Sequence, residues 1–202
     1  MQEGLLLIIS GPSGVGKGTV CRHLMTIKEG LRLSVSTTTR LPRSEEKDGK
    51  EYFFTDEDNF KTMIEKGDFL EWALVHDHYY GTSLDVANEA IDRGEILILE
   101  IDVQGAAQVR QKEPYSVSIF LAPPSMETLE NRIRGRGTES DEKIERRLTT
   151  ARQEMDSYIL YDYLVINDKV EKAAAKIGAI IDAEKCKVSR GAKPPGWGGE
   201  DG

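Results

Sequence analysis

The stretch "LLLIISGPSGVGKGT", residues 5 to 19, constrains the fold of this chain more than any other. Leu5 to Ile9 is an unbroken apolar run. That is the pattern of a strand covered on both faces, and such strands belong to parallel sheets flanked by helices. The run empties into Gly11, Pro12, Ser13, Gly14, Val15, Gly16 and Lys17, which fits G-x-x-x-x-G-K, and Lys17 opens a helix predicted to reach about Lys28. In a strand–loop–helix setting the glycines let backbone N–H groups curl around an anion. The helix N-terminus adds partial positive charge, and Lys17 brings a full charge to the outer phosphates. The position after the lysine departs from the fuller pattern. A Ser or Thr there would offer its hydroxyl to Mg2+, but the residue is Gly18, and Thr19 follows one place later. Magnesium is then expected to be held mainly by phosphates and water, and a serine at position 18 to be tolerated.

The rest of the chain alternates in the same manner. "EILILEID" and "VSIFLA" are further buried strands, and "YLVIN" is a last short one. Helices are predicted between them: from Ser83 as cap to near Gly94, Ala106 to Lys112, from Ser125 as cap with Met126, Leu129 and Ile133 on one face, a long one carrying Ile144, Leu148, Ala151 and Met155, and Val170 to about Lys187. This order implies an α/β fold, a P-loop parallel sheet with helices on both faces. Residues of about 34 to 83 interrupt it with short strands at Tyr52 to Phe54, Phe69 to Val75 and Tyr79 to Gly81, and with a helix capped by Thr55. They read as an inserted lobe. Residues of about 126 to 154, broken by "RGRGTESDE", read as a second insertion, a mobile arginine-rich lid. The core is then 4–33, 84–125 and 155–187 of one domain spanning 1–202. The Gly- and Pro-rich ending, about 188–202, reads as a disordered tail.

The net charge of −8 argues against a general nucleic-acid binder, which would carry a basic footprint. A few arginines focused on a pocket still suit a small anionic ligand. No apolar run approaches the roughly 18 residues of a membrane span, and "MQEGLLLIIS" lacks the basic start and cleavage signature of a signal peptide. Two distant cysteines, Cys21 and Cys186, read as free thiols, and the expected location is cytoplasmic. His23, His76 and His78 match no metal spacing or catalytic triad.

A phosphate loop does not say what receives the phosphate. The inserted lobe carries "SVSTTTRLPR", "GKEYFF", "FLEWA" and "YYGTS", and the core carries "LEIDVQG". With the phosphate loop these segments resemble guanylate kinase, in family order, from about Leu5 to Lys185. The resemblance implies transfer of the γ-phosphoryl of ATP to GMP, giving ADP and GDP, with Mg2+ accompanying ATP.

The residues suit that chemistry. Arg40 and Arg43 can fork onto phosphate oxygens, and Tyr52 and Tyr80 can add hydroxyl donors. In the family, these four positions bind the GMP phosphate. Guanine presents N1–H and a 2-amino group on one edge, for which a carboxylate is the natural acceptor. Glu71 occupies the guanine-reading position, and Ser36, Thr82 and Asp102 match positions that help it. Glu100 and Asp102 lie two apart and project to the same side of a strand end, so Glu100 is assigned to the magnesium-water shell, with Thr19 as the other candidate for the metal. Arg132, Arg136 and Arg147 match the lid that closes on the phosphates of ATP. With Lys17 and Arg40, Arg136 and Arg147 are the expected catalytic charges. Arg134 and Arg146 read as surface charges, and Asn167 resembles the adenine-contacting position.

Two other readings use the same residues. One is a guanylate-kinase-like module that binds protein partners without catalysis. The other is a P-loop kinase for another nucleoside monophosphate, or a GTPase. The sequence leaves the subunit number open, a homo-oligomer included.

Overall fold

The computed structural model describes residues 4–75, 77–135 and 141–192. Its centre is a five-stranded, all-parallel sheet built from β1 (Leu5–Ser10), β2 (Leu31–Leu33), β7 (Ile96–Glu100), β8 (Val117–Ala122) and β9 (Tyr163–Ile166), in the order β2-β7-β1-β8-β9. β1 is central, which explains its unbroken apolar run: both of its faces are covered. Leu5, Leu7 and Ile9 point to one side, where they meet helices α1 (Lys17–Ile27), α5 (Met126–Arg134), α6 (Asp141–Met155) and α7 (Val170–Lys185). Leu6 and Ile8 point to the other, against α3 (Leu84–Asp92) and α4 (Val103–Lys112). The period-2 alternation of a strand thus feeds two separate cores from one segment.

The lobe is a second, four-stranded sheet. β3 (Thr37–Thr38), β4 (Phe53–Phe54), β5 (Phe69–Val75) and β6 (His78–Ser83) lie in the order β4-β3-β6-β5, with a parallel β3–β4 pair and antiparallel β3–β6 and β5–β6 pairs. Helix α2 (Glu57–Lys66) covers it through Phe60, whose ring stacks on Phe69 and Tyr79. β5 is an edge strand, and core helix α4 serves the backbone groups that the sheet leaves unpaired there. The Gln108 amide accepts from Trp72 N–H and donates to Trp72 O, and Lys112 Nζ donates to Leu70 O at 2.6 Å. These bonds tie the lobe to the core beside the strand that carries Glu71.

Several local expectations shift. α2 is capped by Asp56 rather than Thr55, because the Asp56 carboxylate accepts from Asn59 N–H at 2.8 Å. α4 begins at Val103 rather than Ala106, because Asp102 caps it by accepting from Gly105 N–H at 2.8 Å. Ser83 and Ser125 cap α3 and α5 as read. A 3-10 turn at Asp156–Leu160, lacking helical periodicity, was not foreseen. The first residues of the ending read as disordered, from Val188, are ordered instead. Val188–Arg190 forms a 3-10 turn held by Arg190 Nε on the buried Glu184 carboxylate at 2.8 Å and by Arg190 Nη1 on Tyr115 O. The remainder of that stretch, like His76, lies outside the described residues. Among the described residues no helix is long and apolar enough to cross a membrane, and both cysteines are free.

Candidate active site

The C-terminal ends of β1 and β7 and the lobe's β5–β6 hairpin enclose a cleft of about 380 Å3. A cleft outside the carboxyl ends of strands is where open α/β sheets bind ligands. Ser13, Lys17, Glu100, Asp102, Thr150 and Glu154 line its core side, and Ser36, Tyr52, Glu71 and Tyr80 its lobe side.

The phosphate loop has the shape its glycines predict. Gly11 (φ 143°) and Gly16 (φ 99°) adopt left-handed backbone. Neither position has room for a side chain: a Cβ on Gly11 would lie 2.1 Å from Leu121 O, and one on Gly16 2.8 Å from Asn167 Nδ2. Lys17 Nζ curls back to donate to Gly11 O at 2.6 Å, across the mouth of the loop. The Val15 carbonyl accepts from Asn167 Nδ2 at 2.8 Å and from Arg132 Nη1 at 3.1 Å, and Arg132 Nη2 reaches Asn167 O at 2.8 Å. Arg132 and Asn167 therefore brace the loop from behind. Asn167 is buried, and its Oδ1 has no hydrogen-bond partner among the described residues. Arg147, also buried, donates from Nη2 to Ser13 Oγ at 3.0 Å. Arg136 lies outside the described residues. Arg134 is paired with Glu130, Asp141 and Glu145, and Arg146 is exposed, as expected of surface charges. The apolar faces of α5 and α6, through Leu129, Ile133, Ile144, Leu148 and Ala151, pack in the same core as Val15.

On the lobe side, Glu71 is 3% exposed. Its register partner across the hairpin is Thr82, whose Oγ1 donates to Glu71 Oε1 at 2.6 Å. Burial pushes the Glu71 carboxyl up to about 7, and the Asp102 charge pushes the same way, against the Thr82 hydrogen bond. A Cβ on Gly105 would lie 2.3 Å from Glu71 Oε2, so the first turn of α4 approaches this carboxylate as closely as glycine allows. The result is a buried acceptor at the cleft wall, with donors required of whatever meets it.

Nearer the loop at the lobe's mouth, Arg40 is held by Glu46. Arg40 Nη2 lies 2.8 Å from both carboxylate oxygens, and Glu46 also accepts from Arg43 N–H at 2.8 Å. The Arg40 guanidinium sits over the Tyr52 ring at 5.4 Å, and the Tyr52 and Tyr80 rings are 5.9 Å apart. The Arg43 side chain is largely exposed, with Nη1 3.9 Å from Glu46. Arg40, Tyr52 and Tyr80 are thus gathered, while Arg43 reaches outward.

Glu100 faces the start of α1. Burial raises its carboxyl above the usual range, and Lys17, Arg22 and the Gly18 N–H oppose that rise. Gly18 has a structural reason beyond the missing hydroxyl: a Cβ there would lie 3.1 and 3.2 Å from the two Glu100 oxygens. A serine at 18 would therefore require the Glu100 carboxylate to give by a few tenths of an ångström. Thr19 is exposed and does not line the cleft. Among the described residues no three His, Cys, Asp or Glu side chains are grouped to hold a metal ion.

Among the residues of this site to which the sequence gives no role are Glu46, Gly105, Thr150 and Glu154. Glu154 had a usable signal. It lies two helical turns beyond Arg147, and so on the same face of α6. Glu46 sits in a polar loop with no periodicity to place it.

The chain matches the family model for guanylate kinase over residues 3–184. It is 53% identical to the guanylate kinase of Caldanaerobacter subterraneus subsp. tengcongensis, over 94% of this chain and 92% of that one. It is 51% identical to the guanylate kinase of Shouchella clausii, with the same coverages. Its fold is similar to the crystal structure of guanylate kinase from Anaplasma phagocytophilum, with a TM-score of 0.79 at 34% identity, covering 94% of this chain and 90% of that one.

Proposed function

The chain belongs to the guanylate kinase family, and on that premise we propose that it transfers the γ-phosphoryl of ATP to GMP, giving ADP and GDP. One observation carries the reading. A single cleft has a phosphate loop with Lys17 at one end and a buried carboxylate, Glu71, with Thr82 at the other. The first end takes a triphosphate and the second takes a base with two adjacent donors.

The proposed roles draw on the resemblance to the family together with the arrangement of the cleft. The loop N–H groups and Lys17 hold the outer phosphates of ATP, and Lys17 leaves Gly11 O to follow the charge. Arg132 and Asn167 keep the loop in shape, and the loop-facing Arg147, with Arg136, supplies positive charge as the phosphoryl moves. Glu71 accepts from N1–H and the 2-amino group of guanine, with Ser36, Thr82 and Asp102 around it. Arg40, Arg43, Tyr52 and Tyr80 receive the GMP phosphate, for which Arg40 exchanges part of its bond to Glu46. A GMP phosphate oxygen attacks in line, and no protein nucleophile is needed. Closing the lobe and lid over the cleft excludes water, which would otherwise take the phosphoryl. Mg2+, when bound with ATP, neutralises and orients the transferring phosphates. The half-buried carboxylate of Glu100, beside Lys17 and the Gly18 N–H, fits a role in its water shell rather than a protein-built metal site. Two free thiols fit a reducing compartment, the cytoplasm.

The test is an acceptor panel. ADP release from Mg-ATP is measured with GMP, AMP, CMP and dTMP. GMP is expected to be the preferred acceptor. Preference for another monophosphate would remove the guanine reading of Glu71, and ATP binding without GMP-dependent ADP release would favour a non-catalytic binding module.

A further inference from the structure

We propose that Glu154 is a positioning residue that holds the phosphate loop through Ser13 and must be displaced from it by the incoming triphosphate. The inference rests on the ATP-site reading above.

Ser13 is gripped twice by one helix face. Arg147 donates to its Oγ at 3.0 Å, and Glu154 Oε2 accepts its backbone N–H at 3.2 Å. Both grips come from α6, the helix that follows the lid break. Ser13 and Glu154 also line the cleft together, with Lys17 and Thr150. A carboxylate therefore occupies one of the donors that the loop offers to anions. When ionised it places a negative charge inside a phosphate site, so it opposes a triphosphate by direct repulsion as well as by competition for the N–H.

The surroundings bear on that charge from several elements. Burial raises the Glu154 carboxyl above its usual range, Asp102 adds to the rise, and Lys17 and the Ser13 N–H oppose it. Tyr161 also lies within its electrostatic reach, and Arg147 shares its helix face. Among these groups only Lys17 and Arg147 carry positive charge, and both are the charges that a triphosphate would draw on. When phosphate takes the Ser13 N–H, Glu154 loses that hydrogen bond and α6 loses one of its contacts with Ser13. Arrival of nucleotide is thereby read out at α6, the helix that bears Arg147.

The experiment is calorimetric titration of Mg-ATP, without GMP, into the wild-type protein and into Glu154→Gln, Glu154→Asp and Glu154→Ala. Glu154→Gln keeps an oxygen acceptor for Ser13 N–H but no charge. It is expected to bind ATP about tenfold more tightly, since a like charge within a few ångströms is removed. Glu154→Asp keeps the charge and is expected to remain within about twofold of wild type. Glu154→Ala, if folded, is expected to tighten like the glutamine variant. Unchanged or weaker binding by Glu154→Gln would overturn the proposal and leave Glu154 as a structural brace. If wild type and all variants failed to bind ATP, the reading of the site itself would fall.

Discussion

Thr82 Oγ1 donates to Glu71 Oε1 at 2.6 Å across the β5–β6 hairpin, while the first turn of α4 packs at Gly105 against Glu71 Oε2. A buried carboxylate held in this way is a recognition group whose charge state governs what it can accept.

The pH dependence follows. Glu71 stands at about 7 in the folded chain, raised by burial from an ordinary value of 4.5. The folded state holds this proton more tightly than the unfolded state. The stability that this group contributes is therefore fully present below the ordinary carboxylate range and is lost as pH rises through about 7. Thermal unfolding of wild type against Glu71→Gln should show the wild type losing relative stability between about pH 5 and about pH 8. Guanine needs the ionised acceptor, so kcat/KM for GMP should rise over the same interval and collapse in Glu71→Gln. A flat kcat/KM profile through neutrality would take Glu71 out of the base-reading role.

Gly105→Ala tests the packing of that carboxylate. The new Cβ would lie 2.3 Å from Oε2 and 3.0 Å from Cδ of a side chain with little room to retreat. Overpacking of this kind costs roughly 1–3 kcal/mol. The melting temperature should fall, and kcat/KM for GMP should fall with it, while the Kd for ATP stays near wild type. Retained efficiency with GMP would mean that Glu71 has slack the structure does not display.

Lys17→Ala removes the charge that faces the outer phosphates. Loss of one such contact lowers turnover by roughly 10²- to 10³-fold. Circular dichroism should show the fold intact, since Lys17 makes its hydrogen bond only to Gly11 O among the described residues. Near wild-type turnover in a folded variant would contradict the phosphate-loop assignment.

Magnesium dependence separates Glu100 from Thr19. Glu100→Gln should raise the free Mg2+ needed for half-maximal rate more than Thr19→Ala does, because Glu100 is half-buried and lines the cleft beside Lys17 while Thr19 is exposed and does not. Gly18→Ser should raise it as well, by pushing on carboxylate oxygens 3.1 and 3.2 Å from its Cβ. Should Thr19→Ala prove the most damaging of the three, the hydroxyl one place late would be the metal's direct ligand.

The elements that repeat a period were legible from the sequence. β1, β7 and β8 announce themselves as apolar runs, and Ser83 and Ser125 as helix caps, because each is decided by local chemistry. The sheet order β2-β7-β1-β8-β9 was not, since pairing between strands far apart in the chain leaves no local trace. The same division runs through the site. Lys17 and Glu71 were found from a motif and a resemblance, and both line the cleft. Glu46 and Glu154 were not, because their meaning lies in a partner: Arg40 for one, the Ser13 N–H for the other. Arg132 and Asn167 match nucleotide-contacting positions, and what the sequence does not show is that both side chains also hydrogen-bond the loop's own Val15 carbonyl.

The central place of β1 has a consequence for how the chain is made. Among the described residues β1 pairs with β7 and β8 alone, and β2 with β7 alone. As a ribosome extends the chain, no hydrogen bond of the large sheet can close before Ile96 has emerged, and Leu5 to Ile9 stay unpaired until then. The phosphate loop waits longer, because Val15 O receives Asn167 only when nearly the whole fold is out. A nascent chain halted in between would display an aggregation-prone apolar strand beside a loop with no fixed shape, so the phosphate site is among the last features to form although its own residues are among the first synthesised.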